Sequence, residues 1–230
     1  MTDFIKTPIG LVARRPLNIK DTGVKELLDN GNFYSHEALA NGTINSSPLE
    51  LKAMAHKLGF GVMTIKELVT LMEFLRTQTS KEERGLYESL SKNEISDGIY
   101  NSEMLAQHVI PRISTNKGIE LITPRGYEFK NRNWRPINPI RETIADFPPT
   151  GTSLDCPTFT VKFNAEDTGE NGLPRVHRES NSTFSLKCDV GGEEDHTASF
   201  YGRNIDLTVP MNETYTPEDR LANTIRLIKR

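Results

Sequence analysis

The spacing of apolar residues changes near residue 116, and this change constrains the fold more than any other feature of the sequence. Before it, apolar residues recur every three or four positions, most clearly from Ile65 to Leu75. After it they alternate with polar residues, as they do from Phe159 to Phe163. A period of 3.6 is typical of a helix, and a period of two is typical of a strand with one buried face. Helices followed by strands predict an α+β fold and disfavour alternating βαβ units.

Three capping boxes mark a helical region, which we place at residues 21–115. Each box pairs a Ser or Thr with a Glu three residues later, so that the two side chains satisfy backbone N–H groups of the first turn. The boxes are Ser47 with Glu50, Thr64 with Glu67, and Ser80 with Glu83. Shorter helices are expected at residues 22–29 and 102–110. Residues 1–20 show neither period and are expected to form an extended N-terminal arm.

Residues 116–215 are predicted to form an antiparallel, sandwich-like β region. Strands are expected on both sides of the turn signal Pro124-Arg125-Gly126, and again where apolar residues alternate, at 159–163, 184–190 and 205–209. The connection at 131–152 contains four prolines and no clear period, so we expect it to lie against another surface. A C-terminal helix is expected at residues 216–230, because Thr216-Pro217-Glu218-Asp219 has the form of a helix cap.

The sequence lacks the common catalytic signatures. It contains neither glycine-rich phosphate loop, no G-x-S-x-G nucleophile elbow and no H-E-x-x-H zinc motif. We therefore expect no enzymatic activity and no cofactor. The net charge is only −3, and no apolar run approaches the about 18 residues that a membrane span needs. A membrane partner is not expected, and the protein is expected to be made in the cytoplasm.

An acidic loop offers a weak candidate metal site. Asp189, Glu193, Asp195 and His196 supply oxygen and imidazole ligands around two glycines, although their spacing does not match a calcium-binding loop. A solvated turn that keeps a sheet edge from aggregating is the favoured interpretation. A metal-dependent enzyme that uses residues 189–196 is one alternative function. Cys156 and Cys188 lack metal-ligand spacing, and whether they pair stays open.

The segment 125–135 combines cations with aromatic rings. That mixture is typical of single-stranded nucleic-acid sites, where cations contact phosphates and rings stack on bases. The candidate residues for this alternative are Arg125, Tyr127, Lys130, Arg132, Trp134 and Arg135. The same segment also suits a protein interface, because a tryptophan among arginines is a typical anchor. The candidate partner-binding residues are Arg14 and Arg15 in the arm, with Arg132, Trp134 and Arg135 in the connection.

The hypothesis that accounts for most of these features is a non-catalytic structural subunit of a larger protein assembly. Segments that bury themselves poorly gain burial from neighbouring subunits. The partners are expected to be other protein subunits, including copies of the same chain. By analogy with chains that mix small helices, strands and extended arms, a bacteriophage virion or tail component is the favoured kind of assembly. A nucleic-acid-binding or regulatory protein is the second alternative.

Overall fold

A computed structural model describes residues 3–17, 24, 26–27, 47–92, 94–96, 99–111, 118–149, 151–152, 158–189, 195–211 and 221–230. The described part of the protein is mostly β. The described residues contain three complete α-helices, a 3₁₀ helix at Ala165–Asp167 and no C-terminal helix after the sheet region. The predicted order, in which helices precede strands and a final helix follows, is therefore wrong.

The three helices begin at the three capping boxes, as predicted. They are α1 (Pro48–Lys57), α2 (Ile65–Arg76) and α3 (Lys81–Lys92). In α1 and α2 the Ser or Thr and the Glu bond to each other's backbone N–H groups, so both boxes are complete. At α3 the Ser80 hydroxyl accepts a hydrogen bond from the Glu83 N–H at 3.2 Å. Local side-chain chemistry therefore fixes the start of each helix.

Within the described part of the chain, fifteen strands form three sheets. In chain order they are β1 (Phe4–Thr7), β2 (Gly10–Ala13), β3 (Gly61–Val62), β4 (Glu94–Ser96), β5 (Ile99–Pro111), β6 (Ile119–Thr123), β7 (Gly126–Lys130), β8 (Asn133–Ile137), β9 (Ile140–Ile144), β10 (Thr158–Phe163), β11 (Phe184–Asp189), β12 (His196–Tyr201), β13 (Asn204–Pro210), β14 (Leu221–Thr224) and β15 (Leu227–Lys229). The predicted strands after residue 116 are confirmed where they coincide with β6, β7, β10, β11 and β13.

The large sheet has the strand order β10-β11-β13-β12-β5-β6-β9, and β4 and β14 flank the first part of β5. Its pairs are antiparallel except β11 with β13 and β5 with β14. The small sheet has the order β1-β2-β15-β3, and β7 and β8 form a separate hairpin. Strand β5 bulges, because its residues 105–107 lie opposite the single residue Ala198 of β12.

One hydrophobic core joins the helices to the large sheet. Leu68 and Leu75 of α2 belong to the same buried cluster as Leu105 of β5, Phe163 of β10 and Phe200 of β12. A second buried cluster joins α1 to the β7–β8 hairpin and to the ends of the chain. The helical and strand regions therefore pack as one structure, which the periodicity of the sequence does not show.

The C-terminal segment forms strands where a helix is expected. Ile228 in β15 pairs with Val12 of β2 on one side and with Gly61 of β3 on the other. Both neighbours take the backbone hydrogen bonds that a helix would make within itself. Residues 212–220, including the predicted cap, lie outside the described residues. Pairing with distant strands therefore outweighs the local helix signal.

Three other segments differ from the prediction. The connection at 131–152, in which the sequence shows no clear period, contains strands β8 and β9. The predicted extended arm contains the β1–β2 hairpin, and its residues Ile5, Val12 and Leu17 are buried. The helix expected at 102–110 is part of β5, whose residues are buried on both faces. A strand buried on both faces shows no alternation, so its pattern does not distinguish it from a buried helix. Of the helix expected at 22–29, only Val24, Glu26 and Leu27 are described, and they are helical.

Candidate functional site

The two edge strands of the large sheet differ in how much of their backbone is covered. Strand β10, at one end, is partly covered by the loop that follows it. The Lys162 N–H donates to Nδ1 of His177 at 3.2 Å, and the Lys162 carbonyl accepts from the Arg178 N–H at 2.8 Å. The loop that follows β10 therefore satisfies part of the strand edge, which limits pairing with another chain.

A two-point ion pair holds this covering loop in place. Arg178 Nε lies 2.5 Å from one carboxylate oxygen of Asp167, and Nη2 lies 2.7 Å from the other. The hydrogen bond from Arg178 is the main cause that lowers the pKa of Asp167 below its ordinary value. Asp167 also accepts from the Asn164 backbone N–H at 2.9 Å. The loop is therefore tied to the end of β10 by both backbone and side-chain contacts.

Strand β9, at the other end of the sheet, has an outer edge to which no described strand or loop is bonded. Four of its five residues are exposed and the fifth is half-buried. Ile140, a large apolar residue, is 48% exposed. Among the described residues, β9 pairs only with β6, and no other backbone hydrogen bond reaches it. An exposed edge of this kind offers unpaired N–H and C=O groups to a strand from another chain.

The predicted basic and aromatic segment forms the β7–β8 hairpin immediately before β9, with its rings turned inward. Tyr127 is 8% exposed and Trp134 is 6% exposed. The Trp134 ring packs against Phe129, with centroids 5.3 Å apart, and Lys57 Nζ lies 5.9 Å from its centroid. Neither ring presents a face to solvent on which a nucleobase or a partner residue stacks without rearrangement.

Tyr127 makes a buried polar contact. Its hydroxyl lies 3.0 Å from Nε2 of His108 in β5. Burial, reinforced by the charge of Lys52, lowers the pKa of His108 to about 2, so the imidazole is neutral at pH 7. Burial also raises the pKa of Tyr127 well above its ordinary value. The pair therefore stays uncharged and links the hairpin to the large sheet.

The cations of the segment remain on the surface. Arg125, Lys130, Arg132 and Arg135 are all exposed. Arg132 forms the hairpin turn with Asn131, and both have left-handed backbone angles, with φ of 61° and 54°. The hairpin therefore gathers the four cations that the sequence singles out, but it withdraws the two rings. Their role toward nucleic acid or a protein partner stays a prediction.

The two arginines predicted in the arm lie beside α3. Arg14 and Arg15 line a surface cavity of about 520 Å³ together with Lys81 and Glu82. Arg14 Nε lies 3.2 Å from Asp3, and its Nη2 lies 3.7 Å from Glu82. Arg15 is exposed. The arm is thus held against the helix, and its role in partner binding stays a prediction.

The structure does not assemble the predicted metal ligands within the described residues. Asp195 is exposed at the start of β12, whereas the neighbouring His196 is buried. Glu193 and the side chain of Asp189 lie outside the described residues. No group of three His, Cys, Asp or Glu side chains in the described part of the chain is placed to hold a metal ion. Cys188 is buried in β11, and Cys156 lies outside the described residues, so their pairing is not tested.

A buried lysine that sequence reasoning missed lies beneath the hairpin. Lys52 in α1 is 1% exposed, and its Nζ donates to the carbonyl oxygens of Gln107 at 3.2 Å and Ala106 at 3.5 Å. It also contacts Oγ1 of Thr197. Burial lowers the pKa of Lys52 well below its ordinary value. Because α1 is buried on almost every side, no polar face in its sequence marks this lysine as internal.

The Lys52 contacts hold the bulge of β5. Ala106 and Gln107 are bulged residues, so their carbonyl groups depart from the regular ladder and need another donor. The hydroxyl of Thr197 can accept from a charged amine or donate to a neutral one, which satisfies the group in either protonation state. The Ala106 N–H donates to the Met63 carbonyl at 2.7 Å, and the Gln107 side chain accepts from the Ile65 N–H at 3.0 Å. The bulge is therefore the point where β5 meets α1 and α2.

A buried ion pair forms a second internal polar centre. Arg226 is 1% exposed, and its Nε and Nη2 donate to the two carboxylate oxygens of Glu103 at 2.8 and 2.5 Å. Its Nη1 donates to the carbonyl oxygens of Ala13 and Arg14, and Nη2 donates to the Ser89 hydroxyl. One side chain therefore ties the C-terminal segment to β2, β5 and α3.

Comparisons with protein-family models, with curated proteins and with solved structures found no match. No helix among the described residues has the length and apolar character needed to cross a bilayer.

Proposed function

We propose that this chain is a non-catalytic structural subunit of a larger protein assembly, and that a neighbouring subunit adds a strand to the open edge of β9. The contrast between the two ends of the sheet carries this proposal. At β10 a loop of the same chain is hydrogen-bonded to the strand edge. Strand β9 is exposed, and its Ile140 side chain lies in solvent. Strand addition would satisfy the edge and bury that side chain.

The buried polar groups support a structural role. The amine of Lys52 is directed at backbone carbonyls of the β5 bulge, and its buried position leaves it little access to a substrate. Glu103 and Arg226 neutralise each other, and Arg226 bonds further backbone carbonyls. These groups join distant parts of the chain, and a fully satisfied buried polar network makes a core more rigid.

The partners that we propose are protein subunits, including copies of this chain. By analogy, we propose a bacteriophage virion or tail as the kind of assembly. The nucleic-acid alternative keeps the four exposed cations of the β7–β8 hairpin but loses its stacking rings. Cations without rings contact phosphates and give weak, strongly salt-dependent binding.

A lysine at position 140 is expected to weaken association. The Ile140→Lys side chain would place a charge where a partner strand must pack, and an edge charge is a common device against strand pairing. We expect association to weaken by at least about tenfold, with no loss of stability, because the site is exposed in the free chain. Sedimentation velocity over a concentration series, with and without the partner subunits, measures the effect.

The matched control is Val176→Lys. Val176 is 50% exposed and lies in the loop that covers the opposite end of the sheet. This variant adds the same charge to an exposed apolar residue and is expected to associate like the unaltered chain. Equal weakening by both variants would show that net charge governs association, and no effect of Ile140→Lys would remove β9 as the docking edge.

A further inference from the structure

A cleft of about 510 Å³ lies between α1, β3 and the turn that joins β6 to β7. Its volume falls in the range typical of sites for small molecules, about 300–1,000 Å³. The residues that matter for its chemistry are Lys52, His56, Phe60, Arg125, Tyr127 and Arg230. Lys52 is almost completely buried and therefore lies at the closed end, whereas Arg125 is exposed and lies at the mouth.

The cleft has a one-sided charge. Four of the described residues that line the cleft are basic, namely Lys52, His56, Arg125 and Arg230. No described lining residue is Asp or Glu. Arg230 is compensated, because its guanidinium makes two contacts of 2.9 Å with the carboxylate of Glu67. Among the described residues, the guanidinium of Arg125 has neither an ion pair nor a hydrogen bond, and Lys52 contacts only uncharged oxygen atoms. The exposed cation of the cleft, Arg125, is thus left without an anion.

The walls of the cleft are already in contact in the free protein. A Cβ atom added to Gly126 would lie 2.6 Å from Nε2 of His56, so the turn backbone and the imidazole touch. The ring of His56 also meets Tyr127 edge to face, with centroids 6.5 Å apart. Tyr127 is fixed in turn by His108. A preformed cleft loses less entropy when a ligand binds than one that must be assembled.

We propose that this cleft binds a small soluble molecule through an oxyanion, a carboxylate or a phosphate, with Arg125 as the principal residue that contacts it. A guanidinium matches both oxyanions because its N–H groups form a planar fork. An anion in the cleft would also favour the charged form of the buried amine. The lining residue Thr123 pairs with Ile140 of β9, so the cleft adjoins the proposed docking strand, and titration of the free protein tests its ligand separately from assembly.

Isothermal titration of the full-length protein with citrate and with pyrophosphate tests the proposal at physiological ionic strength. We expect saturable binding of at least one of the two anions, and the stronger of them identifies the ligand as a carboxylate or a phosphate. Arg125→Gln is expected to weaken that binding by about tenfold, because it removes the charged fork at the mouth. Gly126→Ala is expected to weaken it as well, because the methyl group displaces His56.

The matched control is Arg135→Gln, which removes an exposed arginine from the same hairpin but outside the cleft lining. It is expected to leave the affinity unchanged within about twofold. Two results would overturn the proposal. One is the absence of saturable binding for both anions at millimolar concentration. The other is equal weakening by Arg125→Gln and Arg135→Gln, which would indicate diffuse attraction to a basic surface.

Discussion

Replacing Glu103 with alanine is expected to lower the free energy of unfolding by about 3–5 kcal/mol, the largest effect that we predict for a single substitution. The variant would leave the guanidinium of Arg226 charged and buried without its carboxylate. The carbonyl groups of Ala13 and Arg14 would compensate only in part, because they carry no net charge. Urea unfolding followed by circular dichroism measures the loss.

A surface ion pair provides the control for this prediction. Arg141 Nη1 lies 2.8 Å from Oε1 of Glu120, but the arginine is largely exposed. Glu120→Ala is therefore expected to cost less than about 1 kcal/mol. The double variant Glu103→Ala, Arg226→Ala should be more stable than the sum of the single losses predicts, because neither charge is then stranded. A Glu103→Ala loss no larger than that of Glu120→Ala would contradict this role for the buried pair.

Replacing Lys52 with methionine is expected to lower the free energy of unfolding by about 2–4 kcal/mol. Methionine has a similar length, so the main loss is the amine that donates to Ala106 and Gln107. Each buried carbonyl left without a donor costs about 1–3 kcal/mol. The bulge should also open more often, so the Ala106 amide, which bonds Met63, should exchange its hydrogen faster in the variant.

Lys57→Met is the matched control, because Lys57 belongs to the same helix but is exposed. Its ammonium group lies over the Trp134 ring, so we expect a loss of about 0.5–1 kcal/mol. Chemical unfolding of both variants gives the comparison. A Lys52→Met protein as stable as the unaltered chain, with unchanged exchange at Ala106, would show that the amine does not hold the bulge.

Local signals in the sequence predicted the elements whose chemistry is local. The three helices begin where a Ser or Thr bonds the backbone three residues later, an interaction contained within one turn. Strands with one exposed face were predicted for the same reason, since β10 and β13 alternate buried and more exposed residues. The elements that were predicted wrongly are those whose structure depends on distant parts of the chain. Strand β5 is buried on both faces, and β15 is a strand because β2 and β3 lie on either side of it.

The candidate site residues show the same difference between local features, which the sequence predicts, and long-range contacts, which it does not. The exposed cations of the β7–β8 hairpin were predicted from one short segment, but the burial of Trp134 depends on packing that the segment does not encode. Glu103 and Arg226 are 123 residues apart, and Lys52 meets Thr197 across 145 residues. No spacing rule detects contacts of that range. The open edge of β9 was equally hidden, because it follows from the order of strands in the sheet.

The central claim is that this chain works as one subunit among several and shares the edge of its large sheet with a neighbour. The most direct test is sedimentation velocity of the natural protein in a fresh extract of the cells or particles that contain it, with detection by antibody. The claim predicts a particle several times heavier than the 25.9 kDa chain. Sedimentation of all the protein as a 25.9 kDa monomer would contradict it.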